Sequence, residues 1–210
     1  EDKLIVVRND IGRQILMERI SRLLPERTGF VWKCYGSGQY EHTTWLTGIH
    51  TEDGNPVFVV TGTAGNSSGE GISDEQAAIE LEYRIENNVL YQVKSAPAMM
   101  DSDFDELEII RYPFVTGHKW YQFPIDNGIN SASILTEILS VDQENGETVI
   151  EVEYTDLSTE QYEKRLIQEG KSTIAFTKLY SDGMNEPFEI GYYIDEAATG
   201  YSDSSGNATP

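Results

Sequence analysis

Residues 25–32 read Pro25-Glu26-Arg27-Thr28-Gly29-Phe30-Val31-Trp32, and residues 113–120 read Pro113-Phe114-Val115-Thr116-Gly117-His118-Lys119-Trp120. Both obey Pro-x-x-Thr-Gly-x-x-Trp, with the two tryptophans 88 residues apart. Proline fixes φ and glycine accepts positive φ, so each copy predicts a turn that delivers its Trp onto a strand. Similarity continues outward in the same order. Leu46-Thr47-Gly48-Ile49 answers Leu135-Thr136-Glu137-Ile138 if one residue is inserted after Trp120. The dipeptide Asp53-Gly54 answers Asn145-Gly146, and both are hairpin signals. Val57-Phe58-Val59-Val60 answers Val149-Ile150-Glu151-Val152, and Ser73-Asp74-Glu75-Gln76 resembles Ser158-Thr159-Glu160-Gln161. An ordered series at nearly constant offset marks a duplicated unit.

Each unit reads as a β-meander. Segments 79–85, 89–93, 148–154 and 172–179 carry the β-branched and aromatic residues that suit a pleated sheet. Ser73 and Ser158 each precede a Gln by three residues, a capping-box pattern, so 74–82 and 159–168 also admit helix. We favour a strand at 79–85 and leave 159–168 open. Ahead of the repeats, Leu4-Ile5-Val6-Val7 reads as a short strand. Asp10 then caps a helix whose residues Ile11, Ile15, Leu16, Ile20, Leu23 and Leu24 share one face, and Pro25 stops it. The predicted fold is mainly β: two related antiparallel meanders forming one sheet or an open barrel, with a short N-terminal helix. Its segments are 1–24 (strand and helix), 25–100 (first repeat), 101–112 (acidic linker), 113–199 (second repeat) and a disordered tail, 200–210.

Composition narrows the partners. A chain of 210 residues buries about 70% of its unfolded surface and folds without staples. Cys34 is the lone cysteine, which excludes an internal disulfide and a Cys-based metal cluster. The formal net charge of −21 repels phosphate backbones and anionic head groups, so nucleic acid is not an expected partner. Divalent cations and basic polymers suit such a surface. No apolar run approaches the ~20 residues of a membrane span. The chain starts at Glu1 with no hydrophobic leader, as a trimmed mature protein would, and Asn66-Ser67-Ser68 and Asn207-Ala208-Thr209 match glycosylation sequons.

Few motifs carry chemistry. Gly65-Asn66-Ser67-Ser68-Gly69 matches a nucleophile elbow, but Glu70-Gly71 begins no helix and the chain lacks strand–helix alternation. Asp101, Asp103 and Asp105 alternate, and on extended backbone they would present hard oxygen ligands to Ca²⁺ on one side. An EF-hand is excluded because Glu106 and Tyr112 stand where Gly and Glu are required; otherwise the segment is a solvated linker. His42, His50 and His118 show no metal-ligand spacing. Trp32 and Trp120 read as core pillars. Tyr35, Tyr40, Trp45 and Tyr121 are the candidate ligand-binding residues, able to stack on sugars or an apolar ligand. No catalytic residue and no cofactor other than Ca²⁺ is indicated.

The segment Tyr112–Trp120 resembles a motif of uncharacterised exported proteins from Gram-positive bacteria, many of them similar to surface lipoproteins. These read as an aromatic, Pro, an apolar residue and Gly-x-x-Trp, followed by strands that close in an apolar hairpin. Tyr162, Gly170, Ile174 and Phe176 resemble that hairpin, and with the copy at Leu24-Pro25 to Trp32 the resemblance covers about 24–180. No lipobox Cys is visible. The resemblance implies an extracytoplasmic β-rich module and brings no established chemistry. We therefore expect a non-catalytic binding or interaction module of the bacterial envelope, partnered by cell-wall glycan or an envelope protein. The alternatives are a hydrolase acting on cell-wall or extracellular polymers and a carrier of an apolar ligand.

Overall fold

The computed structural model describes residues 2–66, 77–97, 99–126, 128–130, 132–159, 161–181, 186–202 and 208–209. Helix α1 spans Asp2–Ser21, so Leu4–Val7 is helical and not a strand. Four apolar residues in a row carry no period, and helix and strand compete for them on equal terms. The helix ends before Pro25, where Leu23 N donates to Ile20 O and Leu24 N to Ser21 O at 3.0 Å, tightening the last turn. Only this end of the apolar stripe is covered: Ile20, Leu23 and Leu24 are buried, whereas Ile11 and Ile15 are half exposed.

The first half supplies β1 (Phe30–Gly36), β2 (Tyr40–Glu52), β3 (Asn55–Asn66), β4 (Ala78–Glu86), β5 (Val89–Pro97) and β6 (Glu106–Arg111). The second supplies β7 (Lys119–Gln122), a short β8 (Ile125–Asp126) and β9 (Ile129–Asn130), then β10 (Ile134–Glu144), β11 (Glu147–Asp156), β12 (Tyr162–Gln168), β13 (Ser172–Tyr180) and β14 (Phe188–Ile194). Strands β15 (Gly200–Ser202) and β16 (Ala208–Thr209) follow. Thus 162–168, left open by the sequence, is a strand. Residues 106–111, read as linker, form β6 with Leu107, Ile109 and Ile110 buried. The tail segment 200–202 also gains structure, pairing with β1 because Tyr201 packs edge-on against Phe30 at 5.1 Å. The possible elbow at Ser67 and the Ser73–Gln76 box lie outside the described residues.

All strand pairings are antiparallel, in the order β7-β10-β11-β12-β13-β14-β1-β2-β3-β4-β5-β6-β8-β9. The pairing plan fits two repeats. Trp32 sits opposite Thr44 in one half and Trp120 opposite Thr136 in the other. Gly29 N donates to Leu46 O and Gly117 N to Ile138 O, both at 2.8 Å, with φ of 87° and 82° at the two glycines. A bulge follows in both halves, between Leu46 and Gly48 and between Ile138 and Ser140. These registers correct one alignment. Leu46 corresponds to Ile138 and not to Leu135, so the insertion after Trp120 is four residues long, in the stretch that carries β8 and β9.

The sheet is not closed: β6 and β7 share no ladder. Gln122 spans this seam with its side chain. Its Oε1 accepts from Glu108 N at 2.9 Å, and its Nε2 donates to Glu108 O at 3.0 Å and to Thr136 Oγ1 at 2.8 Å. A side-chain amide thus imitates a backbone pair where two edges would otherwise lie bare. Trp32 and Trp120 are both buried in the core, each 5% exposed.

Candidate functional site

The structure does not gather the four aromatic candidates. Tyr40 faces the interior, where its Oη accepts from Met100 N at 2.7 Å. Tyr35 and Trp45 alternate to the outer face, Lys33 lying over the Tyr35 ring. Tyr121 is exposed and stands on β7, at one end of the strand order, whereas β1 lies in its middle. Nor do the three aspartates share one side. Asp101 is fully buried, whereas the Asp103 side chain is 85% exposed and paired with Lys178 at 2.8 Å. Among the described residues no group of three or more His, Cys, Asp or Glu is placed to hold a metal.

What is assembled instead is a polar cluster inside the sheet. The Asp101 carboxylate accepts from Arg165 Nη2, from Ser102 N at 2.6 Å and from Gln92 Nε2 at 3.1 Å. Lys178 Nζ donates to Asp101 O at 3.2 Å, and Lys94 Nζ to Ser102 O. The Arg165 guanidinium lies over the Phe176 ring at 4.9 Å and the Tyr154 ring at 5.7 Å. Burial opposes ionisation of Asp101, but the adjacent Arg165 charge and its hydrogen bond outweigh it and hold the carboxyl below its usual value. Arg165 is raised by the same pairing despite its burial. The loop before β6 is therefore planted in the interior by one ion pair that joins the two halves of the chain.

The fold itself does not require these charges. Val60 pairs with Leu81 in the first half and Val152 with Arg165 in the second; Gly62 pairs with Ile79, and Tyr154 with Glu163. Glu163 and Arg165 thus occupy the places of Ile79 and Leu81, which are buried apolar residues. One half keeps an apolar core at these positions and the other carries a carboxylate and a guanidinium.

Glu163 lines a cavity of ≈330 Å³ beside the planted loop, with Phe104, Tyr154, Tyr162 and Tyr180 on its walls and Lys178 at its side. Glu163 Oε2 is shut off from solvent and has no hydrogen-bond partner among the described residues. Burial pushes this carboxyl up to about 7; the Arg165 charge opposes the rise and the Asp101 charge adds to it. Tyr180 and Phe188, both exposed, pack at a tilt of 58° with ring centroids 5.4 Å apart. By contrast the space enclosed near Cys34, His42, Thr173 and Tyr192 is only ≈20 Å³. That is far below the roughly 300–1,000 Å³ a ligand pocket needs.

The raised carboxyl has a consequence for stability. A folded-state value of about 7 against an ordinary 4.5 means that the native state binds the proton more tightly than the unfolded chain. Stability from this group is full below 4.5 and is lost as pH rises through about 7. Glu163→Gln is expected to match the parent at pH 4 and to be about 2–3 kcal/mol more stable at pH 8. His42, lowered to about 4 by burial, acts with the opposite sign between 6.5 and 4, and it cancels in the comparison because both proteins retain it. Urea unfolding of both proteins at the two pH values checks this; a difference independent of pH would contradict it.

No family model matches the chain, and no curated protein matches it. Among solved structures it is similar to a candidate lipoprotein of Parabacteroides distasonis, 10% identical with a TM-score of 0.47, over 83% of this chain and 97% of that one. It is also similar to a candidate exported protein of Bacteroides fragilis with a YmcC-like fold, 12% identical with a TM-score of 0.47, over 81% of this chain and 96% of that one. Both come from Bacteroidetes and not from the Gram-positive bacteria of the motif resemblance, and at these scores neither carries an argument about function.

Proposed function

We propose that the protein is a non-catalytic, extracytoplasmic binding module of the bacterial envelope that takes its ligand in the cavity beside Glu163. One observation carries the binding site: two positions that are apolar in the first half are charged in the second, beneath a cavity of ligand size with aromatic walls. Stability alone does not reward that exchange, since a buried charge is costly unless fully paired. The envelope location rests on the motif resemblance, and protease accessibility in intact cells tests it. An apolar carrier would need a large apolar interior, and this interior holds an ion pair.

A hydrolase reading has one observation in its favour. Asp156 lines the same cavity, and bonds from Ser158 hold it below its usual value against some burial, while Glu163 is held above its own. Opposite shifts of two carboxyls are how an acid and a base are assigned in glycoside hydrolysis. Asp156 Oδ1, however, already accepts from both Ser158 N and Ser158 Oγ at 2.7 Å, closing a turn.

Thermal melting against cell-wall glycans, fatty acids, Ca²⁺ and EDTA, with product analysis, tests these readings. A ligand at a hundredfold excess over Kd should add about 2.7 kcal/mol. We expect a shift with a soluble organic ligand and no turnover. Turnover lost in both Glu163→Gln and Asp156→Asn would establish the hydrolase, and a Ca²⁺ shift reversed by EDTA would move the site to the Asp101–Asp105 segment.

A further inference from the structure

Within the binding reading just given, the lining also indicates the charge of the ligand. Among the described residues, Asp103, Asp156 and Glu163 line the cavity against Lys178 as the one cationic side chain. Lys178 is already committed, donating to Asp103 Oδ1 at 2.8 Å and to Asp101 O at 3.2 Å. Its charge is spent within the protein, so an anionic ligand would meet an acidic wall on a chain of net charge −21. Glu163 Oε2, buried and without a partner, is an acceptor that a donor cation would satisfy. The aromatic rings of Phe104, Tyr162 and Tyr180 add faces to which a cation is attracted.

We propose that the cavity binds a small organic cation, a protonated amine whose N–H groups approach the Glu163 carboxylate while its carbon skeleton packs against Phe104, Tyr162 and Tyr180. A neutral molecule of the same shape keeps the packing and loses the charge. The groups that face Glu163 are Arg165 on its own strand, Asp101 and Ser102 on the planted loop, Lys178 on β13, Tyr154 opposite it on β11 and Lys94 on β5. Asp103 and Asp156 complete the charged lining. Arg165 Nη2 is taken by Asp101 and Lys94 Nζ by Ser102 O, while Arg165 Nε and Nη1 are buried with no partner among the described residues. The amine adds the hydrogen-bond donor that Glu163 Oε2 lacks among the described residues.

Binding then requires ionised Glu163, and affinity falls as pH drops through about 7. Amines of high basicity stay protonated throughout, so the pH dependence reports the protein. Calorimetric titration of 2-phenylethylamine and 1,5-diaminopentane, each beside its alcohol (2-phenylethanol and 1,5-pentanediol), tests this. We expect the amines to bind at pH 8, roughly 30-fold more weakly at pH 5.5, and the alcohols more weakly than either amine. Glu163→Gln, an isostere checked for folding by circular dichroism, should lose about tenfold or more for the amines at pH 8 and leave the alcohols unchanged. Glu144→Gln, a change on an exposed strand end, controls for the general acidic field. Amines that bind Glu163→Gln as well as the parent, or alcohols that match the amines, would overturn the cation assignment while leaving the cavity a ligand site. Binding of neither amine, when a neutral glycan binds and shifts the melt, would do the same. If no organic ligand of any charge binds, the cavity reading itself falls.

Discussion

Changing Arg165 to Leu is expected to lower the free energy of unfolding by about 3–5 kcal/mol, and Asp101→Leu by a similar amount. Each change leaves the other charge in the interior with its partner gone: both side chains are 0% exposed. The double change is expected to recover most of that loss and to lie within about 2 kcal/mol of the parent, because no charge is then left uncompensated. The first half already demonstrates that an apolar residue fits, since Leu81 sits at the equivalent place, 3% exposed. Urea unfolding of the four proteins measures this cycle. Additive single effects would show that Asp101 and Arg165 act independently and would remove the basis for an ion pair joining the halves. The parent should also lose stability below pH 3.8, where a carboxyl held below its usual value begins to be protonated.

The second large effect concerns the repeated tryptophans. Trp32→Ala and Trp120→Ala are each expected to cost about 3–5 kcal/mol, the range for emptying a buried aromatic site. The pair separates on substitution by Phe. Trp32 Nε1 donates to Lys171 O at 2.5 Å, across the junction of the two halves, whereas Trp120 Nε1 is buried with no partner among the described residues. Trp32→Phe therefore strands a carbonyl and should cost about 1 kcal/mol more than Trp120→Phe, which removes an unpaired donor. Equal costs, measured in the same urea titrations, would contradict this assignment.

The fold was legible where local chemistry is decisive. Asp53-Gly54 and Asn145-Gly146 adopt positive φ at all four residues, as the mirror-image hairpin turn demands. The Thr-Gly-x-x-Trp copies place their glycines and tryptophans equivalently because turn and strand start are set within eight residues. Reading failed where distant chain decides. Leu4–Val7 has no period, and only tertiary context makes it helix. The Leu46–Leu135 match was three residues off because similarity of letters ignored cross-strand register. Asp101 looked like a solvated ligand group because its partner, Arg165, is 64 residues away. The signal for Glu163 and Arg165 lay in the sequence only as charged residues alternating at apolar positions of a strand. Recognising them as exceptions requires knowing that Val152 faces Arg165 as Val60 faces Leu81.

The cavity is set against the outer aromatic face most directly by backbone amide chemical-shift mapping of the isotope-labelled protein at pH 8 during titration with 2-phenylethylamine. The expected result is saturable movement confined to Phe104, Tyr162, Glu163 and Lys178–Ser181, requiring about tenfold or more amine in Glu163→Gln. Shifts centred on Tyr35, Trp45 and Tyr121 instead, with the cavity residues still, would contradict the account and return the ligand to the outer face of the sheet.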